Sequence, residues 1–492
     1  MYQSTRSREI QASAKEAILQ GLCCDGGLFV MPDLDEVSIP LESFVGKPYP
    51  EIAKVVFSKL LDDFTQTEID ECIKAAYFGN FENDDVAPIR QVGNLFLLEL
   101  FHGPTSAFKD VALTMLPQLM SKSLKESGKK ALILTATSGD TGKAAMSGFA
   151  DVKNTGICVY YPHGGVSAVQ KMQMATQKGS NVDVFAVKGN FDDAQRGVKE
   201  LFVDEELNAY ANSKGVELSS ANSINIGRLI PQIVYYFSSY SWLVENKTIE
   251  AGEQITFCVP TGNFGDVLAG YYAHLMGLPV KKFIVASNKN DVLDDFIKSG
   301  TYDANREFFK TISPSMDILV SSNLERLLFY ASNKDTKKVS QWMQELKEDG
   351  KYTIDDETRS EISTLFASGS ANEDKTKATI KEVFEEVGYV LDTHSAVAYS
   401  VALDYAKTNA QEPIVCLSTA SPYKFPQAVM SSLGEEIEDE WEAIKRLEEV
   451  NHDPCPANLA NLKDSTVLHK AVIEKAEMKR TVISAIDKLA NS

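Results

Sequence analysis

The sequence has little that would tie it to a membrane, to nucleic acid or to an oxidising compartment. No run approaches the roughly 18 consecutive apolar residues of a membrane-spanning helix. The N-terminal stretch MYQSTRSREIQASAKEAI carries no apolar signal core. Cys23, Cys24, Cys72, Cys158, Cys258, Cys416 and Cys455 are odd in number and scattered, and none forms a CxxC pair. Cys158, Cys258 and Cys416 lie inside apolar strand-like runs, where a thiol acts as a small hydrophobe. That usage points to a reducing cytosol rather than to disulfides or zinc. Positive charge is in deficit: 49 Lys and Arg stand against 69 Asp and Glu, a formal net charge of −20. An excess of carboxylates repels phosphate backbones and anionic lipid, which argues against nucleic acid and membrane as partners. His163, His274, His452 and His469 show no ligand spacing, so no metal site is expected. The expectation is a cytosolic protein that works on small molecules.

What is present is an ordinary globular composition: 492 residues, 44% hydrophobic and 24% charged, enough for roughly three domain-sized units. From about residue 130 one pattern repeats: a short β-rich run, a polar or glycine loop, then an amphipathic helical segment. ALILTAT leads through SGDTG into KAAMSGFA, ITFCVP through TGNFG into DVLAGYYAHLM, and PIVCLS through TASP towards Phe425. ICVYYP, VDVFAVKG and FIVASN behave alike. Strands apolar on both faces require a parallel sheet covered by helices on each side, so the fold class is α/β. Residues 1–95 read as a mixed, mostly helical N-terminal domain with a turn at CDGGLF. Residues 96–430 read as the core, with a smaller mobile subdomain over about 130–225 and a charge-rich helical insertion over about 300–385. Within that insertion SGSANEDKTKA reads as an exposed loop, and 431–492 as an acidic helical extension.

Three strand-to-helix loops stand out: TSGDTGKAA from Thr137, PTGNFGDV from Pro260 and STASPYKF from Ser418. A glycine-rich turn feeding a helix N-terminus presents unpaired N–H groups and a positive dipole end, which suits a phosphate or carboxylate. The competing reading of each is a plain turn that needs positive φ. In open α/β sheets ligands collect beyond the carboxyl ends of the strands, so these loops are expected to face one crevice.

The segment FHGPTSAFKDVALTM adds a lysine. Pro104 and Thr105-Ser106 read as a helix start, with Lys109 one turn in and sharing its face with Ala112, Leu113 and Leu116. A lysine snorkelling from a helix end is the alternative. An amine on an apolar helix beside a phosphate cradle suits an aldehyde cofactor, because desolvation lowers its pKa and frees the nucleophile. Pyridoxal phosphate is the candidate.

These motifs, together with YQSTRS at Tyr2, GLCCDGGLFVM at Gly21, NSINIGRLIPQIVYYF at Asn222, SPSMDILVSSNLERLLF at Ser313 and DTHSAVAY at Asp392, resemble the threonine synthase family in its longer form. The resemblance runs in order from residue 2 to about 430, and HGPTxAFKD with TSGDTG is its most specific part. It implies a fold-type-II pyridoxal-phosphate enzyme, tryptophan-synthase-β-like, with parallel-rich sheets and flanking helices. The implied activity turns O-phospho-L-homoserine and water into L-threonine and phosphate by β,γ-elimination and water addition, the last step of threonine biosynthesis. A monomer or homodimer is expected. Where the family more often has His-Pro-Ala, this chain has Ser421-Pro422-Tyr423, on the pyridine side of the cofactor.

Carried over on matching positions, Lys109 resembles the Schiff-base lysine and Gly262, Asn263, Phe264, Gly265 and Asp266 the cofactor-phosphate loop. Thr419 resembles the hydroxyl facing the pyridine nitrogen. Ser138, Gly139, Asp140 and Thr141 resemble the loop for the substrate carboxylate, with an N-cap role as the alternative for Asp140. Asn225 and Arg228 are assigned to the substrate, Arg228 as the first candidate for its phosphate ahead of Lys143 and Lys289. His102 and His394, inside these motifs, are candidates to line the site, with a structural hydrogen-bonded histidine as the alternative for each, and a surface ion pair is the alternative for Arg228. Two other functions compete: a lyase of the same fold that releases a 2-oxo acid, and a non-catalytic phosphometabolite-binding protein.

Overall fold

A computed structural model describes residues 1–137, 139–409 and 412–492. Two sheets organise it. The larger has six strands in the order Phe366–Ser370, Val280–Ser287, Ile255–Pro260, Ile414–Ser418, Leu95–Glu99 and Ile89–Val92. All neighbours are parallel except the last pair, where Ile89 faces Leu98 and Val92 faces Leu95. The smaller sheet has five parallel strands in the order Val472–Ile473, Val182–Val187, Thr155–Pro162, Lys130–Ala136 and Val216–Ser219. The central strands of both are buried along their whole length, as apolar runs such as ITFCVP and TGICVYYP require.

The helix Ile226–Glu245 is buried at most of its positions, and most of its residues are apolar. It packs on the helices Gly265–Leu275, Tyr49–Leu60 and Lys109–Leu113. No described helix is long and apolar enough to cross a membrane.

In the mixed N-terminal segment Gln11–Ala12, Tyr2–Ser4 and Phe29–Val30 form an antiparallel sheet. Three sequence expectations are corrected. Lys109 is not one turn into a helix but is its first residue, in Lys109–Leu113, because Ser106 adopts φ +58° and the chain turns there. SGSANEDKTKA is not a loop. Phe366–Ser370 forms the edge strand of the six-stranded sheet, and Glu373–Val387 is a helix whose cap, Asn372, accepts the Lys375 N–H at 2.9 Å. The C-terminal extension is not merely helical, since Val472–Ile473 pairs with Val182–Val187 and the helix Met478–Ala490 packs on the strands Lys130–Ala136 and Thr155–Pro162.

Candidate active site

The reactive-looking residues converge beyond the carboxyl ends of the six-stranded sheet. The strand Ile414–Ser418 delivers Thr419, and the lysine-bearing segment is zipped to it: Phe108 N–H donates to the Thr419 carbonyl at 2.8 Å and Ser421 N–H to the Ser106 carbonyl at 3.1 Å. One cavity is lined by Lys109, Thr141, Asn222, Ser223, Arg228, the 261–266 loop, Ser315, His394 and Thr419. Lys109 is buried, its Nζ 3.5 Å from Ser315 Oγ and 4.5 Å from the centre of the Phe108 ring. Burial lowers its pKa to about 8, with Arg228 and Lys424 pushing the same way against Asp140 and Asp110. An amine so placed is a nucleophile and base near neutral pH.

The glycine loop is held from behind. Ser321 Oγ donates to the Gly262 carbonyl at 2.7 Å, and Asn323 donates to the Asn263 carbonyl from its backbone and side-chain nitrogens, both at 3.1 Å. A peptide plane opposes its C=O and N–H, so pinning these carbonyls turns the N–H groups of Asn263 and Phe264 the other way. Phe264 sits at φ +63°, an uncommon conformation for a bulky side chain that the surrounding packing sustains. A Cβ on Gly262 would lie 2.7 Å from the Ser315 carbonyl oxygen, so no other residue fits there without displacement. Asp266, one residue into the helix Gly265–Leu275, accepts hydroxyl hydrogen bonds from Tyr235 and from Tyr236, the latter at 3.0 Å. Burial raises its pKa to about 6 against those bonds, and its Oδ2 has no partner.

Of the residues assigned to substrate, Arg228 and Thr141 reach the cavity, joined by Asn222 and Ser223. Arg228 is buried; its Nη1 donates to the Ala221 carbonyl at 3.1 Å, its Nε has no partner, and burial lowers its pKa to about 10. This excludes the surface ion-pair reading. Asn225 is not brought to the cavity: its Oδ1 accepts Gly227 N–H at 2.8 Å and its Nδ2 donates to the Ile18 carbonyl at 2.9 Å, so it caps the central helix. Lys289 is exposed over the Phe309 ring, and Lys143 is half-buried on Gln177. Ser138 lies outside the described residues. Gly139 occupies the N-cap position of the helix Asp140–Phe149, which rules out Asp140 as the cap.

Lys424 and Ser315 escaped the sequence reading. Lys424 pairs with Asp140 at 2.7 Å, an ion contact outside hydrogen-bond angles. Its only sequence signal was a lysine inside the STASPYKF loop. His394 accepts the Ser315 N–H on Nε2 at 3.1 Å while Nδ1 donates to Asp392 at 2.9 Å, which fixes Ser315 beside the amine. Tyr423, at the departure from His-Pro-Ala, donates to the Asp453 carbonyl at 2.8 Å and so braces the C-terminal segment. His102 is structural, bridging Glu82 and Glu99 at 2.7 and 2.8 Å away from the cavity.

The sequence profile described as "Pyridoxal-phosphate dependent enzyme" matches residues 86–358, "Threonine synthase N terminus" residues 1–77, and "Threonine synthase, C-terminal" residues 395–483. The threonine synthase of Pseudomonas aeruginosa is 40% identical over 434 residues, 87% of this chain and 89% of that one. The chain belongs to the threonine synthase family. The human protein named threonine synthase-like 1 is 37% identical over 486 residues, 96% of this chain and 64% of its own. A crystal structure of pyridoxal-phosphate-bound threonine synthase from Brucella melitensis superposes with a TM-score of 0.89 at 38% identity, covering 100% of this chain and 99% of that one.

The residues present fit the cofactor of this family. Lys109 offers a buried amine of depressed basicity, Gly262 leaves a cradle that a Cβ would fill, and the N-terminus of the helix Gly265–Leu275 faces it.

Proposed function

We propose that this chain converts O-phospho-L-homoserine and water into L-threonine and phosphate, with pyridoxal phosphate carried on Lys109. The observation that carries the reading is the single cavity in which a buried amine, a glycine loop at a helix N-terminus and an arginine with a free Nε face one another. When bound, the cofactor supplies an electron sink for negative charge developing at the substrate carbons.

The rest is the work of side chains. Lys109, neutral above about pH 8, takes the Cα proton and then one Cβ proton, and returns protons at Cγ and Cα as phosphate leaves and water adds at Cβ. Arg228, with Asn222 and Ser223, binds the substrate phosphate and stabilises it as the Cγ–O bond breaks. The N–H groups of Asn263, Phe264 and Gly265 hold the cofactor phosphate, Gly262 makes room, and Asp266 buttresses the helix behind them. The Thr419 hydroxyl faces the pyridine nitrogen, and Gly139, Asp140 and Thr141 border the substrate carboxylate.

The domain division proposed with this activity keeps 1–95, 96–430 and 431–492, and the site of action is the cytosol. Incubation with phosphohomoserine followed by mass analysis tests the activity. Equal amounts of threonine and phosphate support it, whereas 2-oxobutyrate supports the lyase reading. A chain without the visible absorbance of a lysine-bound cofactor would be the non-catalytic binding protein.

A further inference from the structure

Three segments distant in sequence meet on the Lys424 ammonium. Nζ lies 2.7 Å from Asp140 Oδ1 and donates to the Thr105 carbonyl at 2.9 Å, with side chains only 2% and 6% exposed in the ion pair. Thr105 is itself held by Asp110, which accepts its N–H at 2.8 Å and its hydroxyl at 2.6 Å. The contact therefore bears on the short loop that ends in Lys109. Asp140 opens the helix Asp140–Phe149, which follows a strand of the five-stranded sheet, whereas Lys424 follows a strand of the six-stranded sheet. The pair spans the two.

Stability does not account for such a pair, because desolvating two charges commonly costs more than their attraction returns, and matched apolar residues do as well or better. Its place does. Asp140 and Lys424 both act on Lys109, with opposite signs.

We propose that Lys424 is a positioning residue for the Lys109 amine: it clamps Asp140 beside the lysine-bearing loop and offsets the charge that Asp140 would otherwise present there. The proposal rests on Lys109 being the cofactor lysine. The charged and titratable groups around it are Asp110 and Arg228 near the amine, Lys143 beside Lys424, His394 towards Asp140 and Asp266 towards Lys109. With both members present their effects on the amine oppose each other, and burial governs it. Burial opposes ionisation of Asp140, but Lys424 and Lys109 outweigh it and hold the carboxyl down at about 2. Without Lys424, Asp140 would face Lys109 as a bare carboxylate and the amine would keep its proton to higher pH.

The test reads the amine directly. The full chain is freed of cofactor, treated with formaldehyde and cyanoborohydride across a pH series, and the methylation of Lys109 is quantified by peptide mass spectrometry. The parent midpoint is expected near 8. Lys424→Met should raise it by about one unit or more, the scale set by an opposite charge within a few ångströms. Lys424→Arg, which keeps the charge, should hold it. Should Lys424→Met fail to fold, Asp140→Asn carries the test by lowering the midpoint, and the double variant Asp140→Asn/Lys424→Met should return towards the parent. In the holoenzyme, Lys424→Met should move the acid limb of the kcat profile upward by the same amount, with less change in KM. A Lys109 midpoint that none of these changes moves, or one that Lys424→Arg shifts as far as Lys424→Met, overturns the proposal. Since labelling needs no substrate, its outcome is independent of whether threonine is the product.

Discussion

Replacing Arg228 with methionine separates the burden of burying a guanidinium from its use. The side chain is buried, donates from Nη1 to the Ala221 carbonyl at 3.1 Å, and leaves Nε without a partner. Methionine keeps the length and apolar contacts. The change leaves the Ala221 carbonyl unpaired, at about 1–3 kcal/mol. It also removes a desolvated charge whose effective penalty is several kcal/mol. The second effect is the larger, so Arg228→Met should unfold at the same temperature as the parent or higher.

Catalysis should move the opposite way. Charge-assisted hydrogen bonds to a phosphate contribute about 1.5–3 kcal/mol each, and 1.36 kcal/mol is tenfold in rate. With Asn222 and Ser223 still in place, kcat/KM for phosphohomoserine should fall about ten- to a hundredfold. The visible absorbance of the bound cofactor should persist. Inorganic phosphate should raise the melting temperature of the parent more than that of the variant. A variant that binds phosphohomoserine normally, loses its pyridoxal phosphate, or melts lower than the parent would refute the reasoning.

Borohydride reduction and peptide mapping should place a phosphopyridoxyl group on Lys109; an adduct on another lysine, or none, would remove Lys109 from its role. Gly262→Ala should weaken cofactor retention on dialysis, because its Cβ would meet the Ser315 carbonyl at 2.7 Å, whereas Gly265→Ala should retain it, since its nearest neighbour is Asn323 Nδ2 at 3.5 Å. Equal retention by both would reduce the loop to a turn. The Lys109 amine titrates near 8 in the fold against 10.5 for the ordinary group, so the unfolded chain binds more protons between those values. The cofactor-free protein should therefore gain stability as pH rises from about 8 towards 10.5, a gain that Lys109→Met abolishes in denaturant titrations. His102 shows the opposite sign: burial opposes its charge, but Glu82 and Glu99 outweigh it and raise its pKa from 6.5 to about 9. Its contribution is complete below 6.5 and lost as pH rises through about 9, and Glu82→Gln should bring the His102 titration down in NMR.

The sequence by itself determined the parallel architecture and the chemical inventory. Continuous apolar runs such as ITFCVP and ICVYYP leave no polar face, so they demand helices on both sides wherever they occur. Glycine loops at strand ends and a lysine followed by apolar helix are likewise local facts, and Lys109 and Gly262 stand in the cavity where that reading put them. Asn225 shows the limit: its motif is the same as that of Arg228, yet only the fold reveals that a helix cap and the Ile18 carbonyl use both ends of its side chain. Phe366–Ser370 became an edge strand, and Val472–Ile473 a sheet strand, because each found a neighbour far away in sequence to satisfy its backbone. The Asp140–Lys424 pair belongs to the same class. It joins residues nearly three hundred positions apart, and its energy depends on burial, which no local pattern encodes. Local chemistry is written in the chain, whereas desolvation and the pairing of distant groups exist only once the sheets have brought them together.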